Sequence, residues 1–349
     1  MRSRLSSDLA HIVGHTQSLW EAIRGARLFI SGGTGFFGCW LLESLLWAND
    51  TLDLGCTAVL LTRDPDAFRG KALHLAGHPA VGLHRGDVRS FEFPPGHFSH
   101  VIHAATQASA QLNAQEPLLV FDTIVEGTRR VLDFAVQRGA RRFLLTSSGA
   151  VYGRQPSELR HVPEDYPGAP DPSQPRSAYG EGKRASEHLC SLYHHQHGIE
   201  TVIARCFAFV GPHLPLDTHF AIGNFIRDRL RGGPIRVQGD GTSRRSYLYA
   251  ADLAVWLWTI LLQGQACRPY NVGSEEDLSI ADLARAVASL DRPALRVEVG
   301  QRPAPDTVVE RYVPLCARAR EELGLRQTVS LREAIERTTN WYRDRIRGD

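Results

Sequence analysis

The apolar positions of the chain change period twice within its first forty residues. Across residues 5–23 they recur at helical spacing (Leu5, Leu9, Ile12, Leu19, Ile23), which predicts a short amphipathic helix against the main domain. Ala26-Arg27-Leu28-Phe29-Ile30-Ser31 is then a compact apolar run ending in glycines, the pattern of a buried strand. Residues 37–47 after it read as a helix. The alternation continues with strands at 57–62 and 100–103, a helix at 122–138, a strand at 142–147, a helix at 178–197 and a strand at 200–206. Strands alternating with helices predict an α/β fold, a Rossmann-type doubly wound parallel sheet covered on both faces.

From Phe207 onward the rhythm loosens into loops, short helices and isolated strands such as 235–237. Residues 207–246 and 273–349 are assigned to a smaller C-terminal substrate-binding lobe. Residues 26–206, with about 247–272, form the dinucleotide-binding domain, and 1–25 are an N-terminal helical extension. The Pro-rich stretch 162–176 is a loop, 331–342 a terminal helix, and no internal repeat is visible.

Composition removes several classes of function. A chain of 349 residues with 43% hydrophobic and 22% charged residues is ordinary for a globular protein. A net charge of +2 does not suggest a nucleic-acid surface. No apolar run approaches the ~20 residues of a membrane span, and the N-terminus lacks the apolar core of an export signal. The six cysteines are scattered without a CxxC pair or metal-ligand spacing, as expected of free thiols in a reducing cytoplasm with no metal. His194, His195 and His197 read as a solvated helix end. Arginine far outnumbers lysine, which suits bidentate contacts to an anionic substrate and equally a GC-rich genome.

Chemistry enters at Gly32-Gly33-Thr34-Gly35-Phe36-Phe37-Gly38, a GxxGxxG between a predicted strand and a predicted helix. Gly32 permits the tight turn, Gly35 lets the backbone approach a pyrophosphate, and Gly38 allows close helix–strand packing. The helix N-terminus favours the phosphate charge. The second strand runs into Arg63 and then Asp64. Arginine there can pair with a 2′-phosphate, which points to NADP; an Asp64 that turns inward to the ribose leaves NAD open. Asp87 and Val88 follow the third strand, where the adenine edge would lie. Ala104, Ala105 and Thr106 close the next strand beneath the cofactor, with His103 read as structural.

Tyr179-Gly180-Glu181-Gly182-Lys183 puts a tyrosine and a lysine on one helix face, one turn apart. A phenol with a pKa near ~10 is a poor base at neutral pH, and an adjacent ammonium and an oxidised nicotinamide would lower it. Ser148 ends the strand before this helix, where it could hold the reacting oxygen by a hydrogen bond. Order along the chain gives the pattern its weight: glycine turn, Ser148, then YxxxK.

At this point the sequence resembles the extended short-chain dehydrogenases of the NAD-dependent epimerase/dehydratase family, from about Arg27 to Leu325. The anchors are the glycine turn, Gly86-Asp87-Val88, His103-Ala104-Ala105, the segment from Ser147 to Gly153, and Tyr179 to Lys183. Ala204-Arg205-Cys206-Phe207, the segment from Arg245 to Asp252, and Tyr270-Asn271-Val272-Gly273 extend it. The resemblance implies catalytic roles for Ser148, Tyr179 and Lys183. It implies cofactor contacts from Gly32, Thr34, Gly35, Phe36, Phe37, Gly38, Arg63, Asp87, Val88, Ala104, Ala105, Thr106 and Phe207. Arg245 and Arg302 match arginines that hold a substrate diphosphate, and Gly149, Ala150, Asn224 and Val237 complete the substrate set. A nucleoside-diphosphate sugar is the implied substrate, and a homodimer built on helices 122–138 and 178–197 the implied assembly.

Departures from the family pattern narrow the reaction. Its 4,6-dehydratases carry Asp-Glu where this chain has Gly149-Ala150, and its uronate decarboxylases carry Glu at position 150. Losing a general acid or base typically costs ~10²–10⁴ in rate. Locally, however, Tyr179-Gly180-Glu181-Gly182-Lys183-Arg184-Ala185 resembles the decarboxylase branch. The Asn that 4-epimerases often place after Arg-x-Phe is Ala208 here. The expectation is hydride transfer at a sugar carbon, C4, by an epimerase or ketoreductase. The alternatives are a dehydratase or decarboxylase with relocated acid and base, and a non-catalytic dinucleotide-binding scaffold or sensor.

Overall fold

The computed structural model describes residues 4–106, 110–218, 220–304 and 308–348. Six strands run parallel in one sheet: β1 (Arg27–Ser31), β2 (Thr57–Thr62), β3 (Val81–Arg85), β4 (His100–His103), β5 (Arg142–Ser148) and β6 (Glu200–Cys206). Their order is 3-2-1-4-5-6, and Pro269–Val272 adds a seventh strand beyond β6. This is the Rossmann order, whose direction reverses between β1 and β4. Leu28, Phe29 and Ile30 are all fully buried, the unbroken burial that a sheet covered on both faces requires.

Aromatic packing fills one side of the sheet. Phe29 stacks on Phe91 at 5.5 Å between ring centres and meets Phe134 at 4.3 Å. Phe134 belongs to the helix Pro117–Gln137, which packs along the helix Ala178–His197. Their approach is close, because a Cβ on Gly182 would lie 3.3 Å from Ile124. A buried Thr128–Ser186 hydroxyl pair at 2.8 Å joins them.

The N-terminal segment is not one helix. An α-helix spans Ser6–Thr16 and tightens to a 3-10 helix over Gln17–Ile23. The Thr16 hydroxyl donates to the Ile12 carbonyl and accepts the Trp20 indole N–H at 2.9 Å. In this segment Leu19, Trp20 and Ile23 are all buried, and Trp20 packs on Trp258 at 5.0 Å. Trp258 donates to Ser44 Oγ at 2.8 Å and is a packing residue.

The chain divides into two compact units. One comprises Met1–Gly153, Ala169–Cys206 and Ala254–Tyr270; the other comprises Arg154–Gly168, Phe207–Leu253 and Asn271–Asp349. In the second unit Leu278–Ser279, Arg244–Arg245 and Arg311–Tyr312 form a three-stranded sheet, and Ile235–Val237 pairs with Val297–Val299. All six cysteines are free; five are buried and Cys267 is half-buried. Among the described residues no helix is long and apolar enough to cross a membrane.

Candidate active site

The glycine turn sits at the reversal point of the sheet. Gly32 follows β1 with φ +75°, and a Cβ there would come within 2.5 Å of the Ala104 carbonyl group, the residue after β4. A Cβ on Gly38 would lie 2.3 Å from Gly33, so both positions are closed by the protein's own backbone. Gly35 differs, since its only neighbour within 4 Å would be the Gly32 carbonyl oxygen at 3.4 Å. The helix Phe36–Leu52 starts there with no side-chain cap, leaving first-turn N–H groups for a ligand. An open glycine beside uncapped amides fits the pyrophosphate of a dinucleotide.

Around this turn, Lys71 Nζ donates to the Thr34 carbonyl at 2.8 Å, a residue the sequence reading missed. Arg63 is exposed after β2. Asp64 caps the helix Pro65–Lys71, its side chain accepting from the Asp66 and Ala67 N–H groups. Asp87 is held by Arg89 at 2.9 Å, which lowers its pKa, and Val88 is buried. His103 bridges Ser31 at 2.6 Å and Thr128 at 3.1 Å. Burial drives its pKa down to about 3, so it is a neutral strut between β1 and a helix.

The reactive groups gather at the carboxyl ends of β4, β5 and β6. Ser148 is the last residue of β5, buried, and its side chain hydrogen-bonds Tyr179 and accepts the Ala150 N–H at 3.1 Å. Lys183 Nζ donates to Thr106 Oγ1 at 2.7 Å and to the Thr146 carbonyl at 2.8 Å, and lies 6.0 Å from the Tyr179 ring centre. Asn113 sets the start of their helix. Its side chain accepts the Tyr179 N–H at 3.2 Å and donates to the Arg176 carbonyl at 2.8 Å, a cap that Ser177 does not provide.

Burial pushes the Tyr179 phenol up to about 12, and the Ser148 hydrogen bond offsets only part of that. The lysine is committed to Thr106 and Thr146, so its charge does not overcome desolvation. Burial brings Lys183 itself down to about 8. In the chain alone the set is therefore a protonated phenol beside an ammonium that is still charged at neutral pH.

The second unit carries the remaining predicted residues. Phe207 packs on Tyr312 at 4.7 Å, and the Arg245 guanidinium lies 5.8 Å from the same ring. Tyr312 carried no motif of its own in the sequence; its register opposite Arg245 brings it there. Asn224 accepts from Arg227 at 2.9 Å, and Val237 is buried in its strand. Arg302 is exposed, while Pro305 and Asp306 of its motif lie outside the described residues. Leu189 and Tyr193 are buried, whereas Leu192 is 40% exposed.

Residues 28–273 match the NAD dependent epimerase/dehydratase family. The chain belongs to that family. UDP-glucuronic acid decarboxylase 5 of Arabidopsis thaliana is 35% identical over 92% of this chain and 90% of its own length. Among solved structures, the dTDP-glucose 4,6-dehydratase of Streptomyces venezuelae, with NAD bound, is 25% identical with a TM-score of 0.76, covering 91% of this chain and 97% of that one. The UDP-glucose 4-epimerase of Thermus thermophilus, in complex with NAD, is 27% identical with a TM-score of 0.73, covering 91% and 99%. Membership of the epimerase/dehydratase family carries an activity class, modification of nucleotide sugars by an NAD-dependent enzyme.

Proposed function

We propose that this chain transfers hydride at one carbon, C4, of a nucleoside-diphosphate sugar, as an epimerase or a ketoreductase. The observation that carries this reading is Ser148 bonded to Tyr179, with Lys183 one turn on, beside Gly149-Ala150 that bear no acid. Ser148 holds the reacting oxygen, and Tyr179 exchanges its proton. Lys183 supplies the nearby positive charge that stabilises the phenolate. A bound nicotinamide supplies hydride acceptance and, when oxidised, the positive charge that brings the phenol into working range. The glycine turn supplies cofactor contacts, and Arg245 and Arg302 suit a diphosphate by their guanidinium chemistry.

Decarboxylation is the second reading, favoured by the 35% identical decarboxylase. Once C4 of a uronate is a ketone, the carboxylate is β to it. Carbon dioxide then departs and its electron pair enters the enolate, so no base removes a carbon-bound proton. Dehydration differs: a proton leaves C5 and another must reach the departing hydroxyl on C6. The lack of a carboxylate at positions 149 and 150 therefore weighs against elimination of water more than against loss of carbon dioxide.

NADP is the proposed cofactor form, because Arg63 and Lys71 supply two cations near the adenosine side of the turn. A homodimer is proposed on exposed Leu118 and Leu119 of one helix and Leu192 of the other. Free, mostly buried thiols suit the cytoplasm. The test of the reaction is product mass together with chromatographic retention after incubation with UDP-glucose, dTDP-glucose, UDP-glucuronate and, with NADPH, a dTDP-4-keto-sugar. An isomer of unchanged mass, or a product two hydrogens heavier with NADPH consumed, upholds the first reading. Loss of carbon dioxide selects the second, and loss of water overturns both.

A further inference from the structure

A ring of largely buried polar groups adjoins Ser148, closed through the pairing of β5 with β6. Glu187 follows Lys183 by one helical turn and Tyr179 by two, on the same face. Its carboxylate accepts from Arg205 Nε at 3.0 Å and from the Arg205 terminal nitrogen at 2.7 Å. Ser147 Oγ donates to the same carboxylate at 2.6 Å. Arg205 also donates to the Tyr152 hydroxyl at 2.9 Å and lies over that ring at 4.8 Å. Ser147 and Arg205 are register partners on β5 and β6. The ring thus ties two strand ends, the Tyr179 helix and the turn Gly149–Tyr152. Ser148 is spanned by anchors on both sides.

A buried ion pair is weak evidence for stability, because desolvating both charges offsets most of their attraction. What a bidentate arginine–carboxylate pair does supply is fixed geometry. We propose that Glu187, held by Arg205 and Ser147, is a positioning residue that sets Ser148 in register with Tyr179 and Lys183. It touches none of the reacting atoms, and the inference rests on the catalytic reading of that set. Its charge acts as well. The ionisable groups facing Lys183 are Tyr179, Glu187 and Cys190 on its own helix, His103 on β4 and Cys206 on β6. Burial keeps both thiols protonated and His103 neutral, which leaves Glu187 as the anion that supports the ammonium.

The test is steady-state turnover of UDP-glucose and UDP-glucuronate by Glu187→Gln, Ser147→Ala and Tyr179→Phe proteins. Glu187→Gln keeps the shape and removes the charge. Its kcat should fall about tenfold at unchanged KM, as misplacement of reacting groups demands. The alkaline limb of its pH profile should move to lower pH, because Lys183 loses its proton sooner. Ser147→Ala removes one bond only and should lower kcat several-fold, again with KM unchanged. Wild-type kcat and pH profile in folded Glu187→Gln overturn the inference. Should that variant not fold, Ser147→Ala decides alone, and wild-type kcat or loss of folding there also overturns it. Turnover retained by Tyr179→Phe instead overturns the catalytic reading itself, an outcome distinct from a silent Tyr179→Phe beside a normal Glu187→Gln.

Discussion

Burial sets the chemistry at Tyr179 and Lys183 in opposite directions, raising the phenol to about 12 and lowering the ammonium to about 8. Both shifts disfavour the charged form, so the pair works only when something else brings positive charge to the phenol. Tyr179→Phe should therefore abolish turnover, by at least ~10²-fold, while dinucleotide affinity measured by calorimetry stays within a few-fold. For pH, the sign follows from the lysine. Below about 8 Lys183 is charged and supports the phenolate; above it the support is lost. The free-enzyme profile, kcat/KM against pH, should descend near that value. A flat profile to pH 10 would show that Lys183 does not act through its charge. Tyr179, Lys183 and Ser148 were legible because their residue types and order carry chemistry. Glu187 and Arg205 were not, because they meet only through strand register and a helix turn.

At the scale of elements, the strand–turn–helix of the glycine motif holds two kinds of glycine. Gly32 has a left-handed backbone and no room for a Cβ against Ala104. Gly32→Ala should destabilise the fold by about 1–3 kcal/mol in denaturant titration, since the clash is with backbone and cannot relax cheaply. Gly35→Ala should leave stability nearly unchanged and weaken dinucleotide binding, because the only near atom is 3.4 Å away. Equal stability loss in both variants would show that Gly35 serves the turn and not a ligand. Periodicity made the strands and long helices readable, since burial on both faces leaves apolar runs. The tightening at Thr16 was not readable, because it depends on the tertiary partner of Trp20.

For the molecule as a whole, the doubly wound parallel sheet followed from the alternation of strands and helices, whereas the covering of particular residues did not. Leu189 and Tyr193 are buried within the first unit, and on these two helices the exposed leucines are Leu118, Leu119 and Leu192. The proposed homodimer should appear in light scattering at micromolar concentration, and Leu118→Glu with Leu192→Glu should shift it toward monomer without loss of turnover chemistry at Tyr179. A monomer in the unmodified protein would remove that proposal. Size also decides how the outside world reaches the interior. Five of six thiols are enclosed, and burial raises the pKa of Cys56, Cys190, Cys206 and Cys316, so these are poor nucleophiles. Cys267 alone is half-buried, in the turn two residues before the strand Pro269–Val272. A maleimide dye would thus mark a single site, giving a fluorescent reporter at the sheet's edge without any engineered cysteine.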